Sequence, residues 1–218
     1  MAHARIHHVT VLGLVLAFGA ILPTEGLANL YTFERISGYS PIGSQLSVEV
    51  TDAGSDQVLF TFRNSLPGTS GYSLTDVYFD DGALLGIAEI THSSGVAFSQ
   101  GASPGHLPDG DLLTPPFEVT KDFLADADPS PMNNGVNTTA EWLGIVFTLQ
   151  TDKTFADVIT GISHGLTNPL LYDDDIRIGI RVQGGTYGGS FVAVPIPAAV
   201  LLGFLGLAAA GLKLRKFV

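Results

Sequence analysis

The stretch Leu46-Ser-Val-Glu-Val50, followed by Asp52-Ala-Gly54 and then Val58-Leu-Phe-Thr-Phe62, decides the fold class. The first run alternates apolar and polar residues with period two, which places Leu46, Val48 and Val50 on one face of an extended chain. Asp and Gly then supply turn chemistry, and a second β-rich run returns. Outward from this pair the same grammar recurs. Leu74 to Phe79 and Leu84 to Ile90 are strand-length runs split by Asp80-Asp81-Gly82, a turn signal. Leu143 to Leu149, Ile176 to Val182 and Phe191 to Val194 complete the set. Ser99 to Pro116 and Ala125 to Asn137, rich in Gly, Pro, Asp and Asn, read as loops. Gly184-Gly185 and Gly188-Gly189 flank Thr186-Tyr187 and suit a hairpin turn or bulge.

A single helix interrupts the pattern. Thr154 can cap it, with Asp157 three residues on as a capping-box variant. Phe155, Val158, Ile159 and Ile162 then recur at helical spacing on one face, and Gly165 stands where a C-terminal cap would fall. Such a helix would cover an end or edge of a sheet. Short strands, long turns and no alternation with helices predict an all-β fold: an antiparallel β-sandwich, jelly-roll-like, with one short helix.

The two ends of the chain have a different composition. Val9 to Leu22 is uncharged, is preceded by Arg5 and is followed by Gly26-Leu27-Ala28. This is the layout of a signal peptide over residues 1–28, with cleavage expected between Ala28 and Asn29; an uncleaved anchor is the alternative. At the other end no residue from Val192 to Leu212 is charged, and Lys213, Arg215 and Lys216 follow. Pro195 and Pro197 keep the chain extended, and a helix can start at Pro197. Residues 197–212 would be about 24 Å long, slightly short for a bilayer core of about 30 Å, which predicts a transmembrane helix with local thinning or snorkelling. The bases after it form a cytoplasmic stop-transfer cluster. A C-terminal core helix is the bland alternative, disfavoured because the run is apolar on every face.

These ends explain a composition that otherwise misleads. Mean hydropathy is +0.33, and only 14% of residues are charged against roughly 25% in an average soluble domain. Residues 29–193, by contrast, read as one extracytoplasmic domain. Setting aside Glu25, Arg5, Lys213, Arg215 and Lys216 leaves it 20 acids and 6 bases, a net charge of −14. That charge argues against nucleic acid or an anionic lipid surface as a partner. The chain has no cysteine, which excludes disulfides, thiolate metal sites and a thiol nucleophile.

The order Val194-Pro195-Ile196-Pro197-Ala198-Ala199, then a short apolar helix, then a basic tail resembles the PEP-CTERM sorting signals of Gram-negative bacteria, in the VPLPA-type variant, with Ile196 where that variant has Leu. Parts of the domain also resemble recurrent PEP-CTERM ectodomains: Thr75 to Gly82, Gly101 to Gly105, Ala125 to Pro129 with Asn134 to Asn137, Thr154 to Val158, and Ile176 to Ile180 with Val182 to Gly184. The resemblance implies export through the Sec translocon and transient anchoring in the inner membrane with the domain periplasmic. It further implies processing by an exosortase near Val194, Pro195, Pro197 and Ala198, then delivery to the cell surface or extracellular matrix. It makes exopolysaccharide a further partner. A permanently C-anchored protein is the alternative.

Candidate chemistry is sparse. Gly101-Ala-Ser-Pro-Gly105 matches the hydrolase pattern G-x-S-x-G, but Pro104 lacks the backbone N–H that the oxyanion hole takes from the residue after the nucleophile. His92, His106 and His164 have no zinc spacing. Asp126, Asp128 and Asn134 are the candidate calcium ligands, within a loop also holding Asn133 and Asn137; the competing use of these residues is turn formation. Trp142 opens a strand and reads as core. The expectation is a non-enzymatic envelope or matrix structural or interaction protein with no cofactor beyond that candidate calcium. A lectin-like glycan-binding module is the alternative, and a secreted hydrolase the third class.

Overall fold

Ten strands form in the computed structural model, which describes residues 29–38, 45–65, 71–80, 82–167, 175–184 and 188–196. They are β1 (Asn29–Gly38), β2 (Leu46–Gly54), β3 (Gln57–Asn64), β4 (Tyr72–Asp80), β5 (Leu84–His92), β6 (Phe98–Gln100), β7 (Leu124–Ala127), β8 (Trp142–Leu149), β9 (Arg177–Gly184) and β10 (Gly189–Pro195). A single turn of helix, α1 (Pro131–Asn134), and the longer α2 (Phe155–Thr167) complete the regular structure, with a 3-10 turn at Gly110–Leu112. The expected membrane helix 197–212, the signal 1–28, Pro197, Ala198, Lys213, Arg215 and Lys216 lie outside the described residues. Among the described residues no helix is long and apolar enough to cross a membrane.

The strands belong to one sheet in the order β5-β8-β3-β2-β1-β10-β9-β4-β7-β6. Every neighbouring pair is antiparallel. The all-β, antiparallel expectation holds, but the sandwich of two sheets does not: the ladder is unbroken from β5 to β6. The sheet rolls over until its faces meet. Phe79 on β4 and Phe147 on β8 stand six places apart in the ladder, yet their ring centroids are 4.7 Å apart. The two terminal strands, β5 and β6, also return to each other, leaving a nearly closed barrel. Strong right-handed twist in a long sheet favours this curling, because it lets one apolar face bury itself.

The barrel interior holds Leu46, Val48 and Val50 opposite Phe60 and Phe62, as the period-two reading requires, with Ile178, Ile180, Val182 and Phe191 from the other side. The β2–β3 turn falls slightly later than expected. Ser55 and Asp56 occupy it in left-handed conformation, while the Asp52 carboxylate accepts the Gly54 N–H at 2.8 Å. Both loop expectations need amendment. Residues Phe98–Gln100 and Leu124–Ala127 form short strands that pair with each other, and β7 adds to β4. Both runs are too short for periodicity to announce them. β1 was likewise missed, because Glu34 and Arg35 break its alternation.

Helix α2 has the expected cap. The Thr154 backbone N–H and hydroxyl both donate to the Asp157 carboxylate at 2.7 Å, which holds that carboxyl below the usual aspartate range. Val158 and Ile162 join the barrel core. Gly165, however, is not the C-terminal cap: the helix runs on to Thr167. Gly165 lies against the backbone of Ile176, where any Cβ would collide. The helix thus packs close to the strand start, and it covers the barrel end where β8 finishes and β9 begins.

Topology also orients the molecule. β1 and β10 are neighbours, with Tyr31 opposite Pro195 and Gly38 opposite Gly189. The described chain therefore enters at Asn29 and leaves at Pro195 at the same pole, the α2 pole. The β1 end at Gly38 lies at the other pole, about 30 Å away at the rise of an extended strand.

Candidate functional site

Barrels of this kind commonly keep polar residues on the outer face. Here β4 is buried on both faces, because the segment from Gly101 to Phe123 lies across the outside of β4, β9 and β10. Leu107 and Phe117 from this strap make a second apolar cluster with Tyr78 and Leu124. It can lie flat because β9 offers Gly179: a Cβ there would come within 2.7 Å of the Leu107 side chain. Arg177 pins the strap. Its guanidinium donates to the Pro115 and Pro116 carbonyls at 2.8 and 2.6 Å, pairs with Asp80 and sits over the Phe117 ring.

Four residues along β9, on the same face, Arg181 carries the second charge on that strand. Its guanidinium lies 3.9 Å from the carboxylate of Asp76, which is almost wholly buried, while Arg181 itself keeps 31% of its side chain exposed. Asp76 accepts the Thr75 hydroxyl at 2.6 Å. Across the β4–β7 ladder Asp76 stands opposite Asp126. Tyr78 donates its hydroxyl to the Pro104 carbonyl at 3.1 Å, with Asp76 close by. Burial raises the Asp76 carboxyl above its ordinary range, against the lowering by the Thr75 bond and by Arg181. Asp126 is raised for the same first cause, and burial raises the Tyr78 phenol.

Arg181 opens onto a cleft of about 350 Å³ at the Gly38 pole. Ser37, Asp109, Gln183 and Ser190 line it together with backbone at Gly184, Gly188 and Gly189. The Ser37 hydroxyl is bonded to Asp109. The wall is therefore rich in hydrogen-bond donors and acceptors and poor in apolar surface. Such a lining can exchange hydrogen bonds with a hydroxyl-rich neutral molecule, and the volume falls at the small end of ligand-sized clefts.

The candidate calcium ligands are brought only partly together. Asp126 and Asp128 are two apart along one extended segment and feel each other's charge. Asp126 accepts the Ser103 N–H at 3.3 Å and Asp128 accepts the Ser99 hydroxyl at 2.7 Å. Asn134, in α1, donates its amide to the Asp128 and Pro129 carbonyls at 3.3 and 2.9 Å, and Asn137 donates to the Met132 carbonyl at 3.1 Å. These bonds tie the loop in the manner of Asn turn chemistry. Among the described residues no group of three or more His, Asp or Glu is arranged around a common point.

Ser103 sits in irregular chain after β6, with no helix following. Trp142 does open β8, but half-buried rather than in the core. His164 lies 3.6 Å from Asp175.

Reasoning from sequence missed Asp76, Tyr78 and Arg181. One signal was present: of the six bases in residues 29–193, two stand on the run Arg177-Ile-Gly-Ile-Arg181. Charge recurring on one face of an apolar strand marks a face that is buried and paired. Comparison with known proteins returns no match: no family model, no curated protein and no solved structure is similar to this chain.

The raised carboxyl at Asp76 gives a pH prediction. Since its folded-state pKa exceeds the unfolded value of about 3.9, its contribution is fully present below that pH and is lost as pH rises through the folded value. Asp76→Asn keeps the acceptor for Thr75 and removes the titration. The stability of the native chain relative to Asp76→Asn should therefore fall as pH rises above the unfolded value and level off once pH has passed the folded one. Tm measured on both proteins from pH 3 to 8 tests this; a constant difference would refute it.

Proposed function

We propose that this chain is an exported envelope or extracellular-matrix interaction protein without catalytic activity. The Sec translocon carries it out, the helix at 197–212 holds it transiently in the inner membrane, and an exosortase removes the tail. The order of sequence signals at the two ends supports this reading: apolar leader before Asn29, then Val194-Pro195-Ile196-Pro197-Ala198, apolar span and bases. One structural observation is what such a role needs. Entry at Asn29 and exit at Pro195 share a pole, so a domain held by either end presents the same opposite pole outward.

The test is expression of the full chain with and without an exosortase. The reading expects a mature protein shorter by the tail only when the enzyme is present. Equal mass in both hosts would favour the permanent C-anchor instead.

A second reading, a glycan-binding module, is favoured by the position and lining of the cleft around Arg181, at the outward pole. The strongly acidic domain selects against polyanions, so the reading specifies neutral saccharides. Glycan-array binding that Arg181→Ala weakens tenfold or more would support it; an array without signal would leave only the first reading standing.

A further inference from the structure

The sorting motif begins inside the folded domain. Val194 lies opposite Thr32 and Pro195 opposite Tyr31, the last two pairs of the β1–β10 ladder. Both Thr32 and Val194 are half-buried, on the outer face of the sheet. Tyr31 is 8% exposed and belongs to the barrel core. The backbone of Val194–Pro195 is therefore committed to a strand rather than free.

A peptidase takes its substrate as an extended strand whose backbone groups it pairs itself. That demand competes directly with β1. The chain has little slack to satisfy both. Only Ile196 stands between Pro195 and Pro197, the first residue of the expected membrane span, and one residue spans at most about 3.6 Å. A membrane peptidase thus meets Val194 and Pro195, the first two residues of the motif, already paired, with β1 along one edge.

We propose that docking of β10 on β1 gates removal of the tail: the segment from Val194 to Ala198 is a substrate only while the Thr32–Val194 and Tyr31–Pro195 pairs are open. This rests on the sorting reading above. The reaction is peptide-bond hydrolysis, in which one water is consumed, a carboxylate forms on the released domain and an amine on the tail. The ladder supplies no chemistry; it controls access. Removal of the tail then precedes closure of the last strand, or draws on the fraction of molecules in which the end of β10 has peeled away. Strand ends open at far lower free energy than the whole domain unfolds, so such a fraction exists without global unfolding.

A disulfide staple tests this, and the native chain contains no cysteine to interfere. Directly opposed residues on antiparallel strands have Cα atoms about 4.5–5.5 Å apart, inside the range a disulfide spans. The full chain carrying Thr32→Cys and Val194→Cys is produced with the exosortase, with and without reductant in the medium. A second staple, Glu34→Cys with Val192→Cys, uses the pair two residues further into the ladder and leaves the motif intact. The single-cysteine variants are controls. The expected result is at least a tenfold loss of mature protein in both oxidised staples, with precursor accumulating, and recovery on reduction. Oxidised staples that mature at the native rate and to the same C-terminal residue by mass would overturn the gate while leaving the sorting reading intact. A native chain that is not shortened by the exosortase would instead overturn the sorting reading, and the gate with it.

Discussion

Phe79→Ala should destabilise the domain by about 3–5 kcal/mol, the cost of emptying a large aromatic site in a packed core. Phe79 is fully buried and touches three other rings. Phe147 stands 4.7 Å from it at 67°, Phe60 5.0 Å at 71° and Phe62 6.3 Å at 79°, measured between centroids. These are edge-to-face arrangements, which add to simple area burial. The position matters more than the type. Phe60, Phe62 and Phe147 come from β3 and β8 on one side of the rolled sheet, and Phe79 comes from β4 on the other. Alanine at 79 therefore removes the main aromatic contact between the two halves of the barrel rather than one contact within a half. Leu at 79 should recover a large part of the loss, since the void shrinks. Urea unfolding of the purified protein, followed by tryptophan fluorescence from Trp142, measures both. A loss below 1 kcal/mol for alanine would show that the halves are not held together there.

Asp80→Ala should cost about 3–5 kcal/mol, the range found when one partner of a buried ion pair is deleted. The Arg177 side chain is 5% exposed, so its charge cannot turn to water when Asp80 is gone. The two proline carbonyls that it also binds solvate it only in part. Arg177→Met tests the same joint differently. It removes the charge, and the carboxylate left behind is the more exposed partner, with 18% of its side chain accessible. This variant should therefore cost less globally. It should still release the strap at Pro115 and Pro116, which limited proteolysis between Gly101 and Phe123 would register. Equal stability losses in the two variants would mean that the pair acts through packing and not through the stranded charge.

The strap and its pins show where reading the chain in order stops being informative. Ser99 to Pro116 is rich in Gly and Pro, and beyond Ser99 and Gln100, which belong to β6, its composition says loop correctly. Composition cannot say that this loop lies on the sheet, because the partners of Leu107 and Phe117 are a glycine on β9 and a tyrosine on β4, some seventy and forty residues away. The same applies to Asp76. In sequence it resembles any turn-forming aspartate, and only the β4–β7 and β4–β9 pairings place it between Asp126 and Arg181. Asp126 and Asp128, which local spacing did single out, turn out to accept hydrogen bonds from Ser103 and Ser99, residues that the sequence separates from them by more than twenty positions.

What the sequence determined by itself is whatever depends on neighbours a few residues apart. Alternation at Leu46–Val50 and strand-length apolar runs bounded by turn residues placed seven of the ten strands, and the Thr154–Asp157 spacing placed the helix cap. Side-chain direction and capping are local geometry, so a local pattern suffices for both. Tertiary structure alone decided that the strands join in one rolled sheet, that β1 lies against β10, and that a loop covers the outer face. Strand order depends on which edges meet after the chain has folded back, and antiparallel pairing through hydrogen bonds is nearly the same for every candidate partner. The choice among partners is made by the fit of whole apolar faces around Phe60, Phe79 and Phe147, a property that no short stretch of this sequence possesses.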